Sequence, residues 1–449
     1  MKIFPLIKKK KILILGLGKE GLSTYFFLRK RFPDKVLTLA DSLTFGKLPK
    51  DLQLLPKKDK KINFKLGRGY LRGVRGFGIV FVSPGISDSN LEKVRGAQTI
   101  VSTNLELFFE LCRGKIIGVT GTKGKSTTTS LIYRVLKQGG LDVRIAGNIG
   151  EPALSFLEKV KSDTIFVLEL SSYQLMRLYK SPNIAVIQNI VPEHLDYHGS
   201  FAKYVKAKEN IVKFQNKKDY VIYNSKSIIA TKIAQKSPGK KIPFNDFTNE
   251  IEESIIPIVS IPLKGKFNLQ NVLPAILIGR MFDVPDKKIA KAIKSFKPLE
   301  HRLEYVAVVN GVEYYNDSLS TIPESAIAAM DSFPGKYKIL ILGGYDRGLD
   351  FSNLAKKIKQ EKIRGIILFP TTGERIWQDI KKEFKDKNLP LHLFTDKIRK
   401  AIGAVHEWSK KGDVVLLSPA SPSFSMFKNY KDRGDQFKKE VYQLSQKNI

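Results

Sequence analysis

Residues 118–127 read Gly-Val-Thr-Gly-Thr-Lys-Gly-Lys-Ser-Thr, after the apolar run Lys115-Ile-Ile-Gly and before TTTSLIYRVLKQGG, which has helical spacing. Glycines let backbone N–H groups wrap phosphate oxygens, and a following helix N-terminus adds its dipole. Lys125 would neutralise the β- and γ-phosphates and the Ser126 hydroxyl could ligate Mg²⁺, so the chemistry is that of a nucleoside triphosphate. Gly121-Thr-Lys-Gly-Lys-Ser has two residues between its glycines where the standard loop has four.

Glu169 ends the apolar run FVLEL, where a sheet strand beside a phosphate loop would place a metal-holding carboxylate. Asn189-Ile-Val-Pro-Glu-His-Leu-Asp-Tyr-His198 closes another run with two acids and two of the five histidines, and His194 is read as a ligand from that strand-end loop. Lys208, in YVKAKENIVKF, reads by itself as a surface lysine. Near the start, Gly16-Leu-Gly-Lys-Glu-Gly21 follows one strand, and Asp41 ends the next, 20 residues after Gly21. That pattern suits a diphosphate at a helix N-terminus with Asp41 near a ribose or base, and does not separate a nicotinamide dinucleotide from another nucleotide diphosphate. Asn316-Asp317-Ser318, Gly343-Gly344-Tyr-Asp-Arg347 and Ser418-Pro-Ala-Ser-Pro-Ser423 form three further polar clusters at strand ends. Arg302 reads equally as a phosphate contact or a surface ion-pair partner.

The elements that carry these residues fall into three sections, each opening on an apolar strand. The first runs through KILIL, VLTLAD and GIVFVSPG, the second through KIIGVT, FVLELSS and AVIQNI. The third opens with HRLEYVAVVNGVEYYND, a hairpin about Asn310-Gly311, followed by KILILGG, GIILFP and DVVLLSPA. Strands interleaved with helical segments predict an α/β protein of doubly wound parallel sheets, with boundaries near 105 and 298. Residues 220–262 have weak periodicity and are read as extra strands or loops on the middle section.

Composition narrows the class. The chain has 449 residues, 42% hydrophobic, which excludes a mostly disordered polymer. One cysteine, Cys112, excludes an internal disulfide. No apolar run approaches the roughly 20 residues that span a bilayer, and the start lacks the long apolar stretch of a signal peptide, so the expectation is a cytoplasmic protein without membrane contact. Lys+Arg number 77 against 43 Asp+Glu, a formal charge of +34. The lysines are spread along the chain with no nucleic-acid motif among them, so the charge reads as solvated surface and no specific nucleic acid is expected.

GTKGKSTTT, LELSSYQL, NIVPEHLDYH, FNLQN, HRLE, NDSLST and SPASPSFSMF, in this order, resemble the motifs of the Mur ligases of bacterial cell-wall synthesis. GLGKEGLS and SPGI extend the resemblance over almost the whole chain, which is most similar to the branch acting on UDP-N-acetylmuramoyl-L-alanine and glutamate. The resemblance implies a Rossmann-like UDP-substrate domain (1–105), a central P-loop ATPase-like parallel sheet (106–298) and a C-terminal Rossmann-like amino-acid domain (299–449). It implies a monomer that forms an acyl phosphate with ATP and Mg²⁺, two ions by expectation, before an amino group attacks. By motif, Gly121, Thr122, Lys123, Gly124, Lys125, Ser126 and Thr127 hold ATP phosphates, and Asn268, Asn271, Arg302 and Asp317 contact ATP. Ser126, Glu169 and His194 match metal-holding positions, and Lys208 matches a lysine that is carbamylated by CO₂ to serve as a further ligand. Lys125, Glu169, His194 and Lys208 form the catalytic set. Gly18, Lys19, Asp41, Gly85 and Asn148 match UDP-muramoyl contacts; Thr321, Arg347, Ser423 and Phe427 match acceptor contacts. Two departures touch the acceptor pocket: Leu319 stands where the family carries a lysine, and Arg347 where its best-known members carry one. D-glutamate is the expected acceptor and L-glutamate the alternative; a basic nucleic-acid-binding P-loop NTPase and a nicotinamide oxidoreductase are the remoter readings.

Overall fold

The structure, a computed structural model, describes residues 2–245, 255–385, 387–424 and 426–446. It contains three sheets, each built as the apolar runs require. Sheet one joins β1 (Ile12–Leu15), β2 (Leu37–Asp41), β3 (Ile62–Leu66), β4 (Ile79–Val82) and β5 (Ile100–Ser102) in the order β3-β2-β1-β4-β5, all parallel. All four residues of β1 are buried, as a strand covered on both faces must be. The order reverses at β1, so ligand loops belong at its carboxyl end, where helix α1 (Lys19–Arg31) begins.

Sheet two joins β6 (Lys115–Thr120), β7 (Val143–Gly147), β8 (Ile165–Glu169), β9 (Ile184–Ile187), β10 (Tyr220–Asn224) and β11 (Lys240–Phe244) in the order β11-β10-β9-β6-β8-β7. It is wholly parallel, and β6, the strand feeding the glycine-rich loop, lies at its centre between β8 and β9. Helix α2 (Lys125–Gly139) leaves that loop; α3 (Ser172–Leu175) and α4 (Phe201–Lys213) follow. The segment read only as extra strands or loops supplies β10 and β11 with a helix between them; residues 246–254 of it lie outside the described residues.

Sheet three joins β12 (Glu304–Val309), β13 (Val312–Asn316), β14 (Lys338–Gly343), β15 (Ile363–Phe369), β16 (Leu391–Phe394) and β17 (Val414–Leu417) in the order β12-β13-β17-β14-β15-β16. Only β12 and β13 are antiparallel, and their turn residues Asn310 and Gly311 have φ of 50° and 76°. Two positive φ values are what a two-residue turn needs to follow strand twist. The chain separates into two compact units: one of residues 1–256 and 270–293, with the first two sheets, and one of residues 257–269 and 294–449, with the third. Among the described residues no helix is long and apolar enough to cross a membrane.

Candidate active site

The loop after β6 is held in shape by its own unit. Gly124 has φ +82°, and a Cβ there would stand 2.2 Å from Asn271 Oδ1, so only glycine lets the loop close against that amide. Asn271 sits on helix α5 (Lys266–Met281) and accepts from Thr128 Oγ1 at 3.4 Å. Thr122 is committed to structure: its N–H donates to Asn189 O at 2.7 Å, and its Oγ1 meets Val191 and the Tyr204 hydroxyl. Lys125 Nζ folds back on the carbonyls of Gly121 and Thr122 at 3.0 and 2.9 Å. Ser126 and Thr127 lie buried in the first turn of α2. Lys123 Nζ pairs with Glu193 Oε1 at 2.9 Å. Burial alone would push the Glu193 carboxyl up, but Lys123 and Lys125 outweigh it and hold it below the ordinary range. Glu193 was legible only as one of two acids in its motif; the charge it places against the loop was not.

Strand pairing sets Glu169 opposite Val119 of β6 and Gly147 of β7, beside the strand end that feeds the loop. Its side chain is 1% exposed; Oε1 accepts from Asn148 Nδ2 at 2.8 Å, and Oε2 is buried with no partner. Leaving one oxygen of a buried carboxylate unpaired is costly, and a hard cation is a natural partner for it.

Lys208 corrects the surface reading. It is 1% exposed, and Nζ reaches Gly121 O at 2.8 Å, Thr120 Oγ1 at 3.3 Å and the face of Tyr204. Burial first, then Lys125, outweigh the pull of Glu193 and Glu169 and hold its pKa well below the lysine range. The reason is visible on α4: Tyr204, Lys208, Ile211 and Val212 share the buried face.

His194 is half-exposed, in left-handed backbone (φ 56°), 3.8 Å from Glu193 and against the Tyr173 ring. Burial, only partly opposed by Glu193, lowers its pKa and leaves a neutral imidazole with a lone pair to donate. His198, the motif's other histidine, is buried with Nε2 at 3.0 Å from Ser172 Oγ, which makes it a structural residue. Among the described residues no group of three or more His, Cys, Asp or Glu is placed to hold a metal. The Ser126 hydroxyl and the Glu169 carboxylate are nevertheless the oxygen ligands Mg²⁺ takes, with the His194 imidazole a softer donor, and the unpartnered Glu169 oxygen fits such an ion.

On the first sheet, Asp41 clamps its loops: Oδ2 accepts from Leu17 N at 2.7 Å and Oδ1 from Leu43 N at 2.8 Å. Gly18 and Lys19 are exposed at the start of α1, and Gly85 is exposed between Pro84 and Ile86, whose carbonyls both accept from the Tyr197 hydroxyl. Glu20 reaches into the second sheet's territory, accepting from Gln174 Nε2 at 2.7 Å.

Asn268 belongs to the second unit, where its amide donates to Lys264 O at 2.5 Å; Asn271 belongs to the first. Within the second unit Asp317 is locked by Leu303 N at 3.0 Å and Ser418 Oγ at 2.8 Å, with half-buried Arg302 one residue from Leu303. Thr321 is half-buried and Ser423 buried. Phe427 packs into the core against Phe369. The aromatic that faces solvent is instead Phe424, 60% exposed, beside Tyr345 and under the Arg347 guanidinium. Phe424 lies within SPASPSFSMF, but of that motif's phenylalanines only Phe427 was singled out.

A glycine-rich loop leading into a helix and a carboxylate with one unpartnered oxygen stand on neighbouring parallel strands, an arrangement suited to a nucleotide-dependent ligase, and the chain belongs to the Mur ligase family. Residues 119–279 match the Mur ligase middle domain, and residues 301–421 match the Mur ligase glutamate ligase domain. The UDP-N-acetylmuramoylalanine–D-glutamate ligase of Acetivibrio thermocellus is 36% identical, covering 97% of each chain. That of Koribacter versatilis is 35% identical, covering 98% of this chain and 99% of its own. In fold, the chain is similar to the UDP-N-acetylmuramate–alanine ligase of Thermotoga maritima (TM-score 0.60, 16% identity, covering 97% of this chain and 99% of that one). It is also similar to the MurF ligase of Thermotoga maritima in complex with ADP (TM-score 0.59, 16% identity, 92% and 96% covered).

Proposed function

We propose that this ATP-dependent ligase joins D-glutamate to UDP-N-acetylmuramoyl-L-alanine through an acyl phosphate. The observation that carries the reading is the Glu169 oxygen left unpartnered on the strand beside the phosphate loop. The γ-phosphoryl group moves from ATP to the substrate carboxylate and ADP leaves. The glutamate amine then attacks the acyl carbon, inorganic phosphate departs and the amine gives up a proton. Two anions must meet in the first step, so fixed positive groups have to offset their repulsion. Lys125 supplies charge at the loop, the N-terminus of α2 supplies its dipole, and Lys123 is steadied by Glu193. Ser126, Glu169 and His194 would hold Mg²⁺, which when bound screens the phosphates and draws electron density from the transferring group.

Lys208 we read as carbamylated. Burial lowers the pKa of this enclosed amine and so favours the neutral form that adds CO₂, and the carbamate would replace a cation with an anionic oxygen ligand. That would add an anionic ligand where, among the described residues, His, Cys, Asp and Glu side chains form no group of three. Gly18, Lys19, Asp41, Gly85 and Asn148 are assigned to the UDP-linked substrate, Asn268, Asn271, Arg302 and Asp317 to ATP, and Thr321, Arg347, Ser423 and Phe427 to the amino acid. The three sheets are assigned to three domains with boundaries near 105 and 298. A cytoplasmic, monomeric enzyme completes the reading. L-glutamate is the second reading, favoured by Leu319 and Arg347 at the acceptor loops. The test is phosphate release from ATP: it should require both UDP-N-acetylmuramoyl-L-alanine and D-glutamate, and release without either would refute the assignment.

A further inference from the structure

Helix α6 (Tyr430–Gln446) carries Arg433, fully buried. Its Nε donates to Ser318 Oγ at 3.0 Å, Nη2 to Ser318 O at 2.7 Å and Nη1 to Ser421 O at 3.1 Å. Ser318 Oγ donates in turn to Tyr430 O at 2.7 Å. One guanidinium thus ties the loop after β13 to the loop after β17. The loop after β14 joins them: a Cβ on Gly344 would stand 3.2 Å from Nη1, and Tyr345 N donates to Pro422 O at 2.8 Å. Thr372 Oγ1 closes the circuit between Gly344 O and Ser421 Oγ. The next residue leaves no slack, since a Cβ on Gly434 would fall 2.2 Å from His301 Nδ1.

Among the described residues no carboxylate comes within ion-pair distance of this guanidinium, so its attachments are neutral hydroxyl and carbonyl oxygens, with Asp317 acting only through its field. Burial pulls its pKa down to about 9, which leaves it cationic at neutral pH. A buried cation without a contacting counter-ion is expensive as packing alone; its planar fork, by contrast, suits holding several backbone segments in fixed relation.

We propose that Arg433 is a positioning residue for the acceptor amino acid, stapling the three strand-end loops of the C-terminal sheet that carry Thr321, Arg347 and Ser423. The inference rests on the acceptor assignment made above. It acts on the second half of the reaction: a loosened crevice misplaces the attacking amine and leaves acyl-phosphate formation in place.

Arg433→Lys keeps the charge and loses the fork, and Ser318→Ala removes one acceptor with less risk to folding. In Arg433→Lys the KM for D-glutamate should rise tenfold or more, while acyl phosphate trapped with hydroxylamine in the absence of amino acid stays within about threefold of wild type. Ser318→Ala should shift the same KM by about three- to fivefold. Hydrogen exchange tests the staple without any substrate: in Arg433→Lys, residues 316–321 and 418–424 should exchange at least tenfold faster with β14 unchanged. An unaltered glutamate KM, or equal losses in both half-reactions, would overturn the proposal. A wild-type enzyme that ignores glutamate would instead sink the acceptor assignment, and unaltered loop exchange would still refute the staple.

Discussion

Asn148 and Glu169 meet across the edge of the central sheet, amide to Oε1 at 2.8 Å, and this fixes which carboxylate oxygen is left over. Asn148 N also donates to the Glu169 backbone carbonyl at 2.9 Å, so one residue holds both the main chain and the side chain of Glu169. Oε2 is therefore held in place before anything binds.

Glu169→Gln should lower phosphate release by about 10²–10³-fold and raise the Mg²⁺ concentration for half-saturation at least tenfold. The amide keeps the size of the side chain and loses the charge, in the range expected for removing one preorganised electrostatic group. Titrating Mg²⁺ against turnover checks it; an unchanged Mg²⁺ response would remove Glu169 from the metal site.

Lys125→Ala should cut kcat by about 10³-fold with the melting temperature nearly unchanged. The side chain is half-buried and bonds the loop carbonyls of Gly121 and Thr122, outside the hydrophobic core, so its loss leaves the core intact. Stopped-flow phosphate release beside a thermal melt separates the two effects. Turnover near wild type in a folded variant would refute the role.

Lys208→Ala should be nearly inactive, with partial recovery on adding acetate, which can enter the space and return an anionic oxygen. Removing bicarbonate should slow the wild type and leave the variant where it is. ¹³C-bicarbonate NMR of the wild-type enzyme should show a carbamate resonance absent from the variant. A fully active enzyme in CO₂-free buffer would dispose of the modification.

Glu20 offers a pH test. Burial, only partly offset by the bond from Gln174, raises its pKa, and Oε2 is shut off from solvent without a partner. The folded pKa is therefore above the unfolded one. Between the two values the native state binds more protons, so this residue's contribution falls as pH rises through that window and vanishes below about 4.3, where both states are protonated. Glu20→Gln should raise stability by about 1–3 kcal/mol above the window. Urea melts at pH 4 and pH 8 should show the gain only at the higher value.

Much of this was legible because the signals are local. KILIL could only be a buried strand, Asn310-Gly311 fixed a hairpin, and the loop at 121–127 announced its chemistry by composition. The burial of Lys208 was missed from its local sequence for want of one comparison: Tyr204, Lys208, Ile211 and Val212 fall at i, i+4, i+7 and i+8, which puts the lysine on the apolar face of its helix. Phe424 and Phe427 lie in a loop without periodicity, so which of them is buried depends on partners far along the chain. Arg433 was invisible for the same reason, 115 residues from the serine it holds. Asp41 was read as a ribose contact by pattern, and its role in bridging Leu17 and Leu43 needed the backbone.

Arg347 is exposed with its guanidinium over Phe424, and Leu319 N is tied to His301 O at 3.0 Å. Arg347 can meet a carboxylate with a bidentate fork where a lysine offers a point charge, which favours an acceptor with a side-chain carboxylate. Leu319 offers no cation, so an α-carboxylate bound there would have to find its partners elsewhere. One charge-assisted hydrogen bond is worth about 1.5–3 kcal/mol, roughly ten- to a hundredfold in kcat/KM. Arg347→Ala should therefore lower kcat/KM for D-glutamate by that factor, and Arg347→Lys should restore part of it. For the wild type, kcat/KM measured under one set of conditions should rank D-glutamate first, at least tenfold above L-glutamate, with D-aspartate and D-lysine below. A preference for L-glutamate would reverse the handedness, and a preference for D-lysine would remove Arg347 from the acceptor site.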